Sequence, residues 1–440
     1  YQAGTAVTTG GNNTIMGYTA GNSITDDTGN VLIGYRAGGS LTDSNNVVIG
    51  ADAARQGTTH SANVIIGMNA AANGVVTGDN NVVIGKDAGL AFTSANGNVV
   101  LGMEAGEAIA SADGNTLVGF QAGKALNYDG DSYNVVMGYQ AGLSLTNAAY
   151  NTLIGGFAGD GYDTEQHNTA VGYLALSGPV AGGEYNVAVG NYTLDALTSG
   201  DNNTAVGYKA GTNVTTGVAN VFMGYEAGIG VTTGGYNIGI GLQTLNQADE
   251  EQNNLAIGYV ALSAAVNGGE FNVAVGNYTL DALTSADSCT ALGYNAGSSI
   301  SSSTQNTLVG ESAGANITTG NGANTVVGYN CFNTGTVLQT GHNNIALGER
   351  CKVSAVDATF QFVIGSNVTG NGNSTTTIGY DTTEIATAHG SASWAAVSDE
   401  RYKKDIEDSS AGLSFINDLR PVTFKFKQKN ELDTDLYGYD

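Results

Sequence analysis

The sequence predicts an all-β fold, a β-solenoid or β-roll of about 22 stacked coils with a period near 17 residues. Three observations predict it: one phrase recurs along almost the whole chain, a short apolar run ends each phrase at a glycine, and turn-forming residues fill the rest. "NNTIMGYTAG", "NVLIGYRAG", "NTLVGFQAG" and "NTAVGYKAG" are examples of the phrase. Because a coil this small cannot bury its apolar face alone, the coils must stack on one another.

The recurring glycine, called the motif glycine below, sets the register of the repeat. Asn stands four residues before it in all units but three, where Cys289, Gln361 and Thr375 take its place. The mean spacing of (379 − 17)/21 is about 17 residues. The motif glycines are at positions 17, 34, 50, 67, 85, 102, 119, 138, 155, 172, 190, 207, 224, 241, 258, 276, 293, 310, 328, 348, 365 and 379.

The apolar residues before the motif glycine predict a strand. Val48 and Ile49 before Gly50 are typical, and a short β-branched run bounded by Asn and Gly indicates a strand buried on both faces. One face can point into the coil, but the other must meet a different surface. We therefore expect a homotrimer with these strands along a common axis, although other oligomers would also cover that face.

A second apolar side chain often follows seven residues after the motif glycine. It predicts a second, shorter strand after a turn, and the Gly, Asn, Thr and Asp of the connections suit tight turns. Examples are Ile24, Leu41, Phe92, Leu126, Leu197, Val214 and Ile317.

The phrases "NTAVGYKAG" and "NVAVGNYTL" resemble the head repeats of YadA-like trimeric adhesins and of many phage tail fibres, which form trimeric β-rolls. The resemblance covers roughly residues 1 to 380 and implies a trimeric shaft. The coils here are longer than that family's usual repeat, so their turns must be more elaborate. We predict a regular shaft over 1–348 and an irregular distal β region over 349–397, where the glycine spacing becomes uneven.

After Gly379 the repeat fails, and "SDERYKKDIEDSSAGLSFINDLRPVTFKFK" begins a different segment, 398–440. Spaced apolar residues around Ile416, ahead of Pro421, predict a short helix, and the alternation around Phe424 predicts a strand. The segment is therefore expected to be the start of a small, incomplete α+β domain.

The hexapeptide "SDERYK" resembles the signature of the peptidase S74 type of intramolecular chaperone, found at the C-termini of phage tailspikes and fibres. The resemblance implies a domain that templates trimerisation and then cuts itself off. Carried over by residue, Ser398 would be the nucleophile and Lys403 the base of a Ser-Lys dyad. Apart from this self-cleavage, no enzyme activity is expected.

Composition excludes several functional classes. The net charge is −25, and residues 1–398 hold 29 acidic and 7 basic residues, which argues against nucleic-acid binding. No apolar run reaches the length of a membrane span, so no membrane insertion is expected. The four His residues lack ligand spacing and are expected at the surface, so we predict neither metal nor other cofactor.

Two side-chain types sit at repeated positions. Tyr follows the motif glycine in many units, which predicts an aromatic ladder, with a glycan-stacking surface as the alternative. Cys331 and Cys351 each stand three residues after a motif glycine in consecutive coils, where Ala dominates. Buried small side chains are the expected reading, although a disulfide between them is geometrically conceivable.

Together these features favour the shaft and distal part of a phage tail fibre or tailspike, located in the virion tail. Its partners would be its own copies, upstream virion or fibre components, and a host cell-surface receptor such as a glycan. We predict that the receptor contacts Trp394, Tyr380, Phe360 and Phe362 in the distal region, because aromatic faces suit sugar rings.

Two other functions remain open. A trimeric adhesin on the bacterial cell surface would need a membrane anchor where this chain carries the chaperone signature. A polysaccharide-degrading solenoid enzyme would need clustered charged residues on one face, which the sequence does not offer.

Overall fold

The computed structural model describes residues 2–179, 182–264 and 268–391, and the backbone of 395–396. These residues contain strands and no helix, which confirms the all-β prediction. The chain divides into two units, Tyr1–Ala395 and Ala396–Asp440. The predicted α+β segment lies outside the described residues.

The strands are short and recur once per coil. Their bounds are β1 Thr14–Met16, β2 Val31–Ile33, β3 Val47–Ile49, β4 Val64–Ile66, β5 Val82–Ile84, β6 Val99–Leu101, β7 Ala112–Asp113, β8 Thr116–Val118, β9 Gly130–Asp131, β10 Val135–Met137, β11 Thr152–Ile154, β12 Thr169–Val171, β13 Val187–Val189, β14 Thr204–Val206, β15 Val221–Met223, β16 Ile238–Ile240, β17 Leu255–Ile257, β18 Val273–Val275, β19 Thr290–Leu292, β20 Thr307–Val309, β21 Thr325–Val327, β22 Ile345–Glu349, β23 Gln361–Ser366, β24 Thr375–Tyr380, β25 Thr383–Ala388 and β26 Ala395–Ala396.

Successive coils stack through one long parallel sheet. Leaving out β7 and β9, the strands from β1 to β24 pair in chain order, each in register with its equivalent in the next coil. Thus Thr14 lies opposite Val31, one period further along. The solenoid of about 21 turns is confirmed, and β7 and β9 form a separate two-stranded sheet between two consecutive coils.

Each strand of the shaft buries one face inside its own coil. In most strands the middle residue, such as Val48, is fully buried, while its two neighbours are half-buried or exposed. In the single chain the strand therefore covers only its inward face.

The Asn before each strand forms a continuous polar spine inside the coils. The side-chain Oδ1 of Asn203 accepts a hydrogen bond from the backbone N–H of Asn220 in the next coil at 3.0 Å. The Nδ2 atom of Asn203 donates to the carbonyl of Gly217 at 2.8 Å. The same pattern recurs along the shaft and keeps these buried amides satisfied. At the Cys289 position the backbone N–H still bonds the preceding Asn272 at 3.0 Å, whereas the thiol contacts the carbonyl of Ser303 at 3.3 Å.

The motif glycine is required by both backbone conformation and space. Gly207, for example, has φ +137°, and a Cβ there would lie 2.3 Å from the carbonyl oxygen of Gly224 in the next coil. No side chain fits this contact, because the obstructing atoms belong to the backbone. The column of motif glycines therefore fixes how closely two coils approach.

The predicted second strand is wrong. Ile24 and its equivalents are buried, as core residues should be, but they directly follow a turn and do not lie in a strand. Residues two and four positions after the motif glycine, such as Thr19 and Gly21, have positive φ angles of 51° and 54°. These left-handed residues keep the chain turning, so it cannot extend into a strand.

Core volume is shared between the strand and the turn that follows it. Phe222 fills its coil where the turn carries Gly228, whose added Cβ would lie 2.3 Å from the Phe222 ring. In another coil the buried strand residue is the small Ala274, and the turn residue equivalent to Gly228 is the large, buried Leu280. Complementary sizes of this kind keep the interior filled from coil to coil.

The last coils differ from the shaft. Strand β22 has five residues and β23 and β24 have six, whereas the earlier strands of the long parallel sheet have three. After Tyr380 the chain reverses, and β25 pairs antiparallel with β24, joining Tyr380 to Thr383 across a two-residue turn.

His60 is buried, so the prediction that all four His lie at the surface is wrong. Its Nδ1 lies 3.0 Å from Nδ2 of Asn63 and 3.1 Å from Oδ1 of Asn46, within the Asn spine. Its Nε2 is buried without a hydrogen-bond partner. Burial lowers the pKa of His60 to about 4, although the nearby Asp43 and Asp79 act in the opposite direction.

We predict that protonation of His60 destabilises the shaft in acid. Because the unfolded chain takes up this proton near pH 6.5 and the folded chain only near pH 4, the free energy of unfolding should fall by about 3 kcal/mol across that interval. Denaturant unfolding at a series of pH values measures this loss. His60→Ala should show a shallower pH dependence, whereas His389→Ala, at an exposed site, should behave as wild type. Equal slopes for wild type and His60→Ala would contradict the prediction.

Candidate functional site

An apolar stripe runs along the outward face of the shaft strands. It consists of the residues three and one positions before each motif glycine, and none of them is charged. In-register pairing aligns them into two columns, as for Val187 with Thr204 and Val189 with Val206. Several members are strongly exposed in the single chain, including Met16 at 62% and Leu347 at 50%. A continuous uncharged surface of this kind is typical of an interaction face.

Aromatic rings form ladders along the coils, as predicted from the Tyr positions. Tyr18 and Tyr35 stack with ring centroids 5.6 Å apart, and Tyr208 and Tyr225 stack at 5.3 Å. The longest run of ring contacts joins aromatic residues that stand one or two positions after the motif glycine. They are Phe120, Tyr139, Phe157, Tyr173, Tyr192, Tyr208 and Tyr225.

A second aromatic column stands five residues before the motif glycine. His167 lies between Tyr150 and Tyr185, with centroids 4.9 Å away on each side and ring planes within 7° of parallel. Because these ring faces already cover one another, a sugar ring has little face left to stack on along this column. The column therefore favours a structural ladder over a glycan platform.

Three of the four predicted receptor aromatics in the distal region lie in the described residues, and each has different surroundings. Phe360 precedes β23 with a positive φ of 55° and meets the ring of His342 edge-on at 5.7 Å. Phe362, two residues later, is half-buried and lies 4.9 Å from the ring of His389. Tyr380 ends β24 and is 72% exposed. Trp394 lies outside the described residues.

The predicted catalytic residues, Ser398 and Lys403, also lie outside the described residues. Their assignment stays a prediction.

A groove of about 780 Å³ crosses neighbouring coils of the shaft. Its lining residues mostly stand five and six positions after the motif glycine, where the sequence varies from coil to coil and gives no repeating signal. They are Asn73, Leu90, Ala91, Glu107, Ala108, Lys124, Ala125, Leu143, Ser144, Thr146 and Asp163.

The lysine that lines this groove is paired with two glutamates. The Nζ atom of Lys124 lies 2.6 Å from Oε2 of Glu104 and 3.0 Å from Oε2 of Glu107. The hydrogen bond from Lys124 lowers the pKa of Glu104, and the same bond raises the pKa of Lys124. One lysine thus faces two glutamates beside small apolar side chains, and Asp163 adds a further acidic group to the lining.

The described residues contain no group of three or more His, Cys, Asp and Glu side chains that could hold a metal ion. Among the same residues no helix is long and apolar enough to cross a membrane.

Residues 398–437 match the family of peptidase S74, the chaperone of endosialidase. The chain is a β-solenoid followed by an S74 chaperone segment. Comparison with curated proteins and with solved structures found no match. The match is to a self-cleaving chaperone family and suggests a protein of the tail-fibre or tailspike type.

Proposed function

We propose that this protein is the shaft and distal part of a phage tail fibre or tailspike, which attaches the virion tail to the host cell surface. The observation that carries the proposal is the order of the two parts, a long β-solenoid followed directly by an S74 segment at 398–437. Upstream virion or fibre components would hold the other end, and the receptor, for which a glycan is the leading class, would bind near the distal coils.

The apolar stripe gives the proposed trimer its interface. Three identical shafts placed around one axis can each turn this stripe inward, and its uncharged columns then meet the same columns of two other copies. In this arrangement, each Å² of apolar surface removed from water stabilises the trimer by about 25 cal/mol. The acidic residues of the shaft stay outside the interface.

A trimeric adhesin of the bacterial surface is the second candidate, because the shaft would serve either protein. The genomic neighbourhood separates the two. A virion-attachment region ahead of this segment in the gene supports the fibre, and an outer-membrane barrel after it supports the adhesin.

A charge placed in the apolar stripe should break the trimer. Ile240, one residue before a motif glycine, lies in the stripe between Met223 and Ile257 of the adjoining coils. Ile240→Glu would bury three carboxylates around the axis, whereas Gln247→Glu adds the same charge at an exposed position outside the stripe. Sedimentation should give three times the chain mass for wild type and Gln247→Glu, and a smaller species for Ile240→Glu. A monomeric wild-type protein would refute the proposed trimer.

Self-cleavage should occur at Ser398 when the shaft is expressed with a complete S74 domain. A lysine whose affinity for its proton is lowered can accept the proton of a serine hydroxyl, and the family resemblance gives these roles to Lys403 and Ser398. Intact-mass analysis should find a fragment boundary at Ser398 in wild type, and Ser398→Ala and Lys403→Ala should leave the chain uncut. The outcome against this assignment is equal processing of all three proteins.

Host attachment should map to residues 349–397. Trp394→Ala and Tyr380→Ala are expected to lower adsorption to host cells at least tenfold, since each removes an aromatic face from the proposed contact. Two shaft variants are controls: deletion of residues 190–275, a block of five coils, and Ala108→Trp, which fills the groove. Both should bind as wild type. If either control loses binding while the aromatic variants keep it, the receptor site lies along the shaft.

A further inference from the structure

The thiols of Cys331 and Cys351 meet inside the solenoid. Each stands three residues after a motif glycine, and the backbone N–H of Cys351 donates to Sγ of Cys331 at 3.4 Å. Both residues are fully buried and both are free thiols. Cys289, the third cysteine, occupies the Asn position of another coil and contacts Ser303.

The geometry of stacked coils suits a bond between these two sulfurs. Strands β21 and β22, which precede the two cysteines, pair in register. Equivalent residues of adjoining strands lie about 4.8 Å apart, within the range of roughly 4.4 to 6.8 Å that disulfides span between Cα atoms. The sulfurs also share an orientation, since Sγ of Cys331 lies 2.8 Å from the carbonyl of Gly348 and Sγ of Cys351 lies 3.3 Å from that of Gly365.

The two buried thiols differ in acidity. The side chain of Cys351 and the backbone N–H that Cys351 donates to Sγ of Cys331 both lower the pKa of Cys331, whereas the side chain of Cys331 raises the pKa of Cys351. Burial opposes ionisation of both, and the charge of Glu349 acts against ionisation of Cys331. These shifts belong to the closed coil, so they do not decide which thiol reacts first once the coil opens.

We propose that Cys331 and Cys351 form a disulfide that joins consecutive coils when the protein meets a disulfide oxidant of the glutathione class. One of the two cysteines loses its proton, its thiolate attacks one sulfur of glutathione disulfide, and the first glutathione leaves as a thiolate. The other cysteine then gives up its proton, attacks the protein sulfur of the mixed disulfide, and releases the second glutathione as a thiolate. The two protein thiols lose two electrons, and the oxidant becomes two thiols. Because both sulfurs are buried, exchange takes place while this coil is open, during folding or local opening.

The bond would staple the longest coil of the shaft. The spacing from Gly328 to Gly348 is 20 residues, the widest between motif glycines. A wider coil loses more chain entropy when it closes. A cross-link between its two ends reduces this loss, because it leaves the open coil fewer conformations. This inference concerns the coil itself and does not depend on the proposed attachment function.

The experiment is to refold the full chain in buffer with glutathione disulfide, and in parallel with reduced glutathione alone. Denaturation with an alkylating reagent, followed by digestion and mass spectrometry, then identifies each cysteine. Under oxidising conditions we expect a peptide pair linked through Cys331 and Cys351, with Cys289 alkylated. The oxidised protein should also melt at a higher temperature than the reduced one.

Three variants test the pairing, and Ala at the two paired positions matches the residue that most coils carry there. Cys331→Ala and Cys351→Ala should each abolish the link and leave glutathione trapped on the remaining cysteine of the pair. Cys289→Ala should leave the link unchanged. The proposal is overturned if Cys331 and Cys351 are recovered as free thiols after oxidation, or if either pairs with Cys289 as often as with its neighbour.

Discussion

The solenoid depends on the hydrogen bonds that each Asn makes to the following coil. One side chain accepts a backbone N–H and donates to a backbone carbonyl, as Asn203 does to Asn220 and Gly217. These bonds satisfy buried polar groups that the three-residue strands leave without a partner. They also fix register, because the bonded atoms in the next coil stand at set distances along the chain. An apolar residue in place of such an Asn would leave buried donors and acceptors without hydrogen-bond partners. Each such group would lower the free energy of unfolding by about 1–3 kcal/mol.

The motif glycines and the shared core volume follow from this spine. Once the spine sets the rise between coils, the carbonyl of one motif glycine lies where a Cβ of the previous one would be, as at Gly207 and Gly224. The interior must then be filled within a fixed height. This explains why a small strand residue such as Ala274 is matched by a large turn residue such as Leu280.

Much of this architecture could be predicted from spacing, because a repeat fixes which residues are equivalent. The sequence predicted the coil period, the strand before each motif glycine and the aromatic ladder correctly. It could not reveal that the turn before Ile24 bends through left-handed residues, since Thr19 has no intrinsic preference for that conformation. It also could not reveal that His60 lies inside, because burial there depends on amides that stand in two neighbouring coils. Of the candidate site, the distal aromatics were predicted as a group, but Phe360 and Phe362 contact different histidines.

A stack of equivalent parallel strands has no natural end, since every coil offers the next one the same edge that it received. Strand β25 changes that edge. Its antiparallel pairing with β24 occupies the hydrogen-bonding groups that a further parallel coil would need. Another molecule therefore cannot continue the series on β24, and lengthwise polymerisation, a hazard of open sheet edges, is blocked at this side of the sheet. On this side, the position of the last parallel strand is therefore encoded in the chain itself, by the two-residue reversal after Tyr380.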